Sequence, residues 1–121
     1  MAKVLIIDDD RINITLLKFF LKEKRHDVLT ADDGVAGLQA VRSFSPDIII
    51  LDVQMPRMSG FEFMAELKSL PGASAIPVIM LTANDNMQDM FFAEGVRGYS
   101  VKPVDPVKME AKILEILNAP H

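Results

Sequence analysis

The sequence contains no cysteine, which excludes a disulfide framework and any metal site built on thiolates. It has no long uninterrupted apolar run, so we expect no membrane-spanning segment. The first residues lack the pattern of a signal peptide. The net charge of −4 gives no basic stripe of the kind that binds nucleic acid. These absences predict a cytoplasmic protein that neither inserts into a membrane nor contacts nucleic acid directly.

The composition is that of one compact domain. The chain has 121 residues, half of them hydrophobic, which is enough for a substantial core. We expect a single domain over residues 1–121, with no output domain in this chain. Short apolar runs alternate with helical patterns, and the runs predicted as strands are Val4–Ile7, Val28–Ala31, Ile48–Leu51, Val78–Leu81 and Gly98–Val101.

Helices are predicted after each of these strands. They begin near Arg11, Gly34, Phe61, Met87 and Pro106. Ser59 is placed to cap the third helix, with Glu62 completing a capping box. The apolar stripes of three helices are predicted as Ile12, Leu16, Phe19 and Phe20 in the first, Ala40, Val41 and Phe44 in the second, and Val107, Ala111 and Leu114 in the fifth.

Strands that are apolar throughout and alternate with helices predict an α/β fold with a parallel sheet. The second strand is more polar than the others and belongs at an edge. The flavodoxin-like order 2-1-3-4-5 satisfies this, as a doubly wound sheet with five helices on two faces. Ligands in such folds bind at the carboxyl ends of the strands, where the strand order reverses between strands 1 and 3.

Polar side chains are predicted at these same strand ends. Strand 1 delivers Asp8 and Asp9, strand 3 delivers Asp52, strand 4 delivers Thr82 and strand 5 delivers Lys102. Three carboxylates repel one another unless they are protonated or neutralised by a cation. Oxygen ligands without histidine or cysteine favour Mg²⁺ over Ca²⁺.

A hydroxyl and an ammonium beside that metal are suited to the oxygens of a phosphoryl group. Phosphoryl transfer requires little beyond positioning and neutralisation of charge. A carboxylate can serve as the nucleophile and form an aspartyl-phosphate. The pattern therefore predicts a functional role for Asp52 at the end of its strand, with Thr82 and Lys102 beside it.

Four motifs carry a family resemblance. They are Ile6-Ile7-Asp8-Asp9-Asp10, Leu51-Asp52-Val53-Gln54-Met55-Pro56-Arg57-Met58-Ser59-Gly60, Leu81-Thr82-Ala83 and Gly98-Tyr99-Ser100-Val101-Lys102-Pro103. From Lys3 to about Leu117 the chain resembles the receiver domain of bacterial two-component response regulators, in particular the single-domain chemotaxis regulators. The resemblance implies a signalling switch that catalyses only its own phosphorylation and dephosphorylation.

The resemblance also implies roles for the site residues. Asp52 would accept a phosphoryl group from a sensor histidine kinase or a phosphotransfer protein. Asp9 and Asp52 would bind Mg²⁺ directly, with the backbone carbonyl of Gln54 as a third ligand and Asp8 acting through water. Thr82 would hydrogen-bond the phosphoryl group, and Lys102 would pair with it.

Further residues would transmit or tune the signal. By the resemblance, Tyr99 would be the aromatic that swings when Thr82 moves; taken alone, it better fits a half-buried aromatic at the sheet edge. The bond before Pro103 would be cis. Gln54 and Asn84 would tune how fast phosphate is lost.

The chain departs from the family around helix 4. The segment from Thr82 to Gly95 is shorter than usual, and Phe91 and Val96 stand where the family usually has alanine. These changes fall on or beside the helix 4–strand 5–helix 5 face, the usual output surface. The apolar side chains of this region form either an adaptable partner surface or part of the core, and they are Met87, Met90 and Phe91.

Two other functions fit part of the pattern. Asp8-Asp9-Asp10 satisfies the D-x-D start of haloacid-dehalogenase-like phosphatases, with Asp8 as nucleophile and Asp10 as acid or base. Against this enzyme, Arg11-Ile12 replaces the usual Thr or Val, no late acidic pair follows, and the chain is too short for a cap. The altered helix 4 also permits a docking module that binds partners without phosphorylation.

Neither histidine is predicted to relay phosphate. His26 precedes the edge strand and is expected at the surface, and His121 is the last residue of the sequence. The cognate kinase and the output partner are not predictable from these residues.

Overall fold

The computed structural model describes residues 1–119, and His121 lies outside them. The strands are β1 (Lys3–Ile7), β2 (Asp27–Ala31), β3 (Ile48–Asp52), β4 (Val78–Thr82) and β5 (Gly98–Val101). The helices are α1 (Arg11–Glu23), α2 (Gly34–Phe44), α3 (Gly60–Ser69), α4 (Gln88–Ala93) and α5 (Pro106–Asn118). A 3₁₀ turn, Asp85–Met87, precedes α4. Across the described range, none of the helices combines the length and the apolar character needed to cross a bilayer.

The strands form one parallel sheet in the order β2-β1-β3-β4-β5, which confirms the predicted topology. β3 and β4 are buried along their whole length. β2 lies at an edge and alternates between exposed and buried residues, as its polar sequence predicts. The ladder places the carboxyl ends of β1, β3 and β4 side by side.

Alternate residues of each strand pack on opposite faces of the sheet, because successive side chains of a strand point to opposite sides. On one face, Leu5, Ile7, Ile49 and Leu51 pack with α2 and α3. On the other face, Val4, Ile6, Ile48 and Ile50 pack with α1 and α5. The sheet is therefore covered on both sides, which confirms the doubly wound α/β fold.

Side chains cap α1, α2, α3 and α5 at their first turns. Ser59 accepts a hydrogen bond from the Glu62 N–H, and the Glu62 carboxylate accepts one from the Ser59 N–H, which completes the predicted capping box. Three other helices begin at an aspartate whose carboxylate accepts backbone N–H groups of the first turn: Asp10 for α1, Asp33 for α2 and Asp105 for α5.

The predicted apolar stripes are correct for α2, wrong for most of α1 and wrong for α5. Of the α1 stripe, Phe20 is partly buried and packs against the core. The other members, Ile12, Leu16 and Phe19, are 75%, 61% and 63% exposed, and the buried residues of α1 are Leu17 and Leu21. In α5 the predicted stripe of Val107, Ala111 and Leu114 faces solvent, and the buried residues are Met109, Ile113 and Ile116. Each of these helices carries two apolar stripes at helical spacing, so periodicity cannot choose between them.

The prediction that His26 lies at the surface is wrong. His26 is buried, and its ring connects the start of the chain to α5. The Ala2 N–H donates to His26 Nδ1 over 3.1 Å, and His26 Nε2 lies 2.8 Å from Glu110 Oε2. Because Nδ1 accepts a hydrogen bond, Nε2 carries the hydrogen that is donated to Glu110.

Replacing His26 should destabilise the fold. His26→Ala leaves the Ala2 N–H and the Glu110 carboxylate without their partner and opens a cavity, so we expect a loss of about 2–3 kcal/mol in the free energy of unfolding. Urea denaturation measures this change. The matched control is Glu110→Gln, which keeps an acceptor oxygen and should cost less than about 1 kcal/mol. A His26→Ala protein as stable as the wild type would contradict this account of the ring.

Candidate functional site

The carboxyl ends of the strands bring the predicted polar residues together. Asp52 is the last residue of β3, Thr82 is the last of β4, and Asp8 directly follows β1. All three side chains are buried. Lys102 directly follows β5, and its N–H donates to the Thr82 carbonyl over 2.7 Å. Asp9 is exposed at the mouth of this site.

Three carboxylates form one group in this site. Asp8, Asp9 and Asp52 each offer an oxygen, and these oxygens lie within 4.8 Å of one another. Lys102 Nζ lies 3.2 Å from an oxygen of Asp8 and 3.2 Å from Asp52 Oδ2. One ammonium therefore offsets part of the charge of three carboxylates. The remaining negative charge favours binding of a divalent cation.

Asp8 is held by two hydrogen bonds that orient its carboxylate. The Asp10 N–H donates to Asp8 Oδ1 over 3.0 Å, and Asn13 Nδ2 donates to Asp8 Oδ2 over 3.1 Å. Sequence reasoning missed Asn13. The sequence does contain a signal for it. Asn13 lies in the first turn of α1, and helical side chains tilt toward the N-terminus of their helix, which here is the end of β1.

Asp10 caps the N-terminus of α1. Its carboxylate accepts hydrogen bonds from the N–H groups of Ile12 and Asn13, over 3.1 and 3.3 Å. This is the geometry of a helix N-cap. A carboxylate engaged in this way is turned toward the first turn of α1, which weighs against the acid or base role that a phosphatase would require of it.

The pKa values of the two buried carboxyls, Asp8 and Asp52, are shifted in opposite directions. Burial raises the pKa of Asp52 to about 6, and its hydrogen bond with Asp8 and the charge of Asp8 act in the same direction. Burial acts to raise the pKa of Asp8 too, but hydrogen bonds from Asp10, Asn13 and Asp52 bring it below its ordinary value. Asp8 therefore stays ionised, and Asp52 is the first of the two carboxylates to bind a proton when the pH falls to about 6.

Lys102 remains an ammonium. Burial acts to lower the pKa of its amine, but the charges of Asp52 and Asp8 outweigh this and raise the pKa above its ordinary value. The side chain is 22% exposed, so the cation faces both the buried carboxylates and the open side of the site.

The first residues after Asp52 form the rim of the site. The Gln54 N–H donates to Asp52 Oδ1 over 3.1 Å, and the Gln54 side chain is exposed. The atoms here that could bind a metal ion, the carboxylate oxygens and the backbone carbonyl oxygens of the rim, are all oxygens. Such a set fits a hard cation that keeps part of its water shell, as Mg²⁺ does.

Thr82 is engaged with its own turn. Its hydroxyl donates to the Asn84 carbonyl over 2.8 Å and accepts a hydrogen bond from the Asn84 N–H over 3.1 Å. The Asn84 side chain in turn accepts from the Asn86 N–H and caps the 3₁₀ turn. A change of partner at the Thr82 hydroxyl would therefore act directly on the start of α4.

Tyr99 lies half-buried on β5 and connects α4 with α5. Its hydroxyl donates to the Gln88 side chain of α4. Its ring centroid lies 6.3 Å from that of Phe91 and 6.3 Å from that of Phe92. Lys112 of α5 donates to the Tyr99 carbonyl over 2.7 Å. Gln88 is a second residue that sequence reasoning missed, since nothing in its local sequence marks it.

The residues around α4 divide between core and surface. α4 has six residues and follows the 3₁₀ turn Asp85–Met87. Phe91 and Val96 are buried, and Met87 packs against the core while partly exposed. Met90 is 56% exposed. Phe91 and much of Met87 therefore belong to the core, and Met90 is exposed at the surface.

The Lys102–Pro103 peptide bond is cis, as the resemblance implies.

Removing the Asp52 charge should stabilise the metal-free protein. Since the native pKa of about 6 exceeds the ordinary aspartate value, the native state binds more protons than the unfolded state between about pH 4 and pH 6. Stability therefore falls as pH rises through this window. Asp52→Asn should be about 1–3 kcal/mol more stable than the wild type above about pH 6.5, with the difference shrinking toward about pH 4.

Urea unfolding in EDTA at both pH values measures this difference. The control is Asp105→Asn, which keeps a capping side chain on α5 and should change the unfolding free energy by less than about 0.5 kcal/mol. An Asp52→Asn protein less stable than the wild type above about pH 6.5 would contradict the raised pKa.

Comparisons with known proteins agree with this geometry. The model of the response regulator receiver domain family matches residues 4–114. Protein PilH of Pseudomonas aeruginosa is 36% identical over 121 residues, which cover 98% of this chain and 97% of PilH. The chemotaxis protein CheY4 of Vibrio cholerae is 31% identical, with a TM-score of 0.89 over 96% of this chain and 98% of that one.

Some relatives are longer proteins. The alkaline phosphatase synthesis transcriptional regulatory protein PhoP of Bacillus subtilis is 34% identical over 117 residues, which cover 95% of this chain. The chain spans about half of PhoP, 48% of its length. The family match extends over most of the chain and coincides with the predicted fold and with the converging strand ends. This chain therefore belongs to the response regulator receiver domain family.

Proposed function

We propose that this protein is a phosphorylation-dependent signalling switch of a two-component system, with Asp52 as its phosphoacceptor. Proteins of this family are signalling regulators and not conventional enzymes. The observation that carries the proposal is the position of Asp52 at the end of β3, with Asp8 on one side and Lys102 in contact with both. The donor would be a sensor histidine kinase or a phosphotransfer protein in the cytoplasm.

The metal of this reaction would be Mg²⁺. Asp9 and Asp52 would bind it directly, the Gln54 backbone carbonyl would add a third oxygen, and Asp8 would act through water. The proposal is supported by the charge of the site, because three carboxylates and one ammonium leave two negative charges. The ion would neutralise these charges and those of the incoming phosphoryl group.

The chain's own groups account for the transfer. A carboxylate oxygen of Asp52 attacks the phosphorus, the bond from phosphorus to the donor nitrogen breaks, and the donor leaves with that electron pair. Asp52 must be ionised to attack, and with a pKa of about 6 its carboxylate form predominates near neutral pH. Lys102 then pairs with the phosphoryl oxygens, and Asp8 remains as the second carboxylate of the site.

The signal would leave through Thr82 and Tyr99. Once the Thr82 hydroxyl bonds a phosphoryl oxygen, it releases the Asn84 carbonyl, which loosens the turn before α4. Tyr99 then exchanges its Gln88 partner for a more buried position. Gln54 and Asn84, both uncharged amides at the rim, would tune how fast phosphate is lost.

The output surface would be the face formed by α4, β5 and α5. These three elements carry exposed apolar side chains, namely Met90, Phe92, Val101, Val107 and Leu114. Exposed apolar side chains can contribute to a surface that contacts a protein partner. Thr82 and Tyr99 adjoin this face, so a change at Asp52 would alter what the partner meets.

Acetyl phosphate provides the direct test of the acceptor. In the presence of Mg²⁺ the protein should gain the mass of one phosphoryl group, and Asp52→Asn should abolish the gain. Removing Mg²⁺ with EDTA should slow the reaction by at least about 100-fold, because a bound metal supplies several kcal/mol of charge stabilisation. Intact-mass measurement over time follows both reactions.

A remote acid provides the control for this test. Asp105→Asn should be phosphorylated like the wild type, because its side chain caps α5. Label on Asp8 in place of Asp52, or turnover of small phosphomonoesters, would favour the phosphatase instead. A wild-type protein that gains no phosphoryl group would refute the proposal.

Beryllofluoride, a phosphoryl mimic, tests whether the site acts as a switch. With Mg²⁺ it should shift the backbone NMR signals of α4 and Tyr99 in the wild type. Thr82→Ala should lower the population of the shifted state by about tenfold, because it removes a hydrogen bond to a charged group. Thr82→Ser keeps the hydroxyl and should behave like the wild type. If beryllofluoride binds without shifting these signals, the chain is instead a phosphorylation-independent docking module.

A further inference from the structure

The loop that follows Asp52 is fastened at its tip to the start of α2. Arg57 Nη2 donates to Asp33 Oδ2 over 2.9 Å, while Asp33 Oδ1 accepts the Ala36 N–H over 2.8 Å. Asp33 therefore uses one oxygen to cap α2 and the other to hold Arg57. Beside this pair, Met58 covers Gly34 so closely that a Cβ on Gly34 would meet Met58 Sδ at 2.6 Å.

Arg57 has an unfavourable backbone conformation. Its φ is 70°, in the left-handed region, which costs a residue with a side chain free energy. Arg25 and Ser45 share this sign of φ, but both stand at the ends of helices, where it is usual. Arg57 instead lies within a loop, where the Met58 N–H donates to the Pro56 carbonyl over 2.8 Å. A positive φ enclosed by this bond is a classic γ-turn, a rare and strained conformation.

The loop is also closed at its base. The Gly60 N–H donates to the Val53 carbonyl over 2.9 Å. A Cβ on Gly60 would lie 2.9 Å from Val53 Cα, so the two segments are in close contact. Gln54, whose N–H donates to Asp52, lies between this base and the turn at Arg57. Strained backbone persists where surrounding contacts hold it, and here the contact is with Asp33.

We infer that the Arg57–Asp33 ion pair is a positioning pair for the metal site: it holds the strained turn and, through it, the main chain of Gln54 beside Asp52. This inference rests on the proposed function, in which the Gln54 carbonyl binds Mg²⁺. The pair connects α2 to the phosphoacceptor loop, so the start of α2 influences how well the site binds its metal. Arg57 and Asp33 act through the loop and do not touch the reacting atoms.

Two variants distinguish a positioning effect of the ion pair on Mg²⁺ binding from a direct effect of its charges. Arg57→Gln removes a cation, and by charge alone it should tighten binding of Mg²⁺. Asp33→Asn removes an anion, and by charge alone it should weaken binding. If the pair positions the loop, both variants weaken binding. Asn caps a helix as well as Asp does, so Asp33→Asn leaves α2 capped.

The measurement is the Mg²⁺ dissociation constant from an NMR titration without phosphoryl donor. We expect Arg57→Gln and Asp33→Asn each to raise it by about three- to fivefold, the size that an exposed ion pair allows. Arg57→Lys should restore part of the affinity. Asp32→Asn removes the adjacent exposed acid but keeps the pair, and it serves as the charge control.

A second readout needs no metal. In EDTA, exchange of the Met58 amide hydrogen should be about threefold or more faster in both variants than in the wild type, because opening of the turn becomes easier. At saturating Mg²⁺ the phosphorylation rate with acetyl phosphate should return toward that of the wild type, since the loss concerns metal binding.

Three results would overturn the inference. These are tighter Mg²⁺ binding in Arg57→Gln, a change in Asp32→Asn as large as that in Asp33→Asn, and unchanged exchange at Met58. A wild-type protein that binds no Mg²⁺ and gains no phosphate would overturn the proposed function, and the metal role of the pair with it. Normal wild-type phosphorylation with unaffected variants would overturn the pair alone.

Discussion

The site depends on one buried interaction, the contact of the Lys102 ammonium with the carboxylates of Asp8 and Asp52. Lys102 is 94 residues from Asp8 and 50 residues from Asp52 along the chain, so no local structure can form this contact. Two buried carboxylates without a cation would have to protonate or leave the interior. In the parallel sheet, β1, β3 and β5 end at the same edge. The strand order therefore places the Lys102 ammonium beside the two buried carboxylates and offsets part of their charge.

The same region departs from local preference. Burial raises the pKa of Asp52 to about 6, and Arg57 lies in a strained turn only a few residues later. Elsewhere the chain follows local rules closely, with β3 and β4 fully buried and capped helices. Proteins commonly depart from local preference where they act, because reactive groups and strained loops need support from the remaining structure. Here that support comes from Lys102 and from the start of α2.

Much of the fold could be predicted because its signals are local. Apolar runs bounded by Gly, Pro and Asp mark the strands, and the Ser59–Glu62 capping box marks where the loop after Asp52 ends. The errors have a common physical reason. Ile12 and Leu17 both lie on apolar stripes of α1 with helical spacing, and only the neighbouring elements determine which stripe is buried. The partners that hold His26 in the interior, Ala2 and Glu110, are distant in sequence, so no local pattern marks its burial.

The sequence by itself determined the alternation of strands and helices, the edge position of β2 and the residues that end each strand. These follow from side-chain periodicity, turn chemistry and caps, which act over a few residues. Only the tertiary structure decided which of the two buried carboxyls has the raised pKa, that Asn13 orients Asp8, that Gln88 holds Tyr99, and that Arg57 reaches Asp33. Each of these depends on burial or on distances between groups far apart in the chain. Burial and distance exist only once the sheet and its helices have packed.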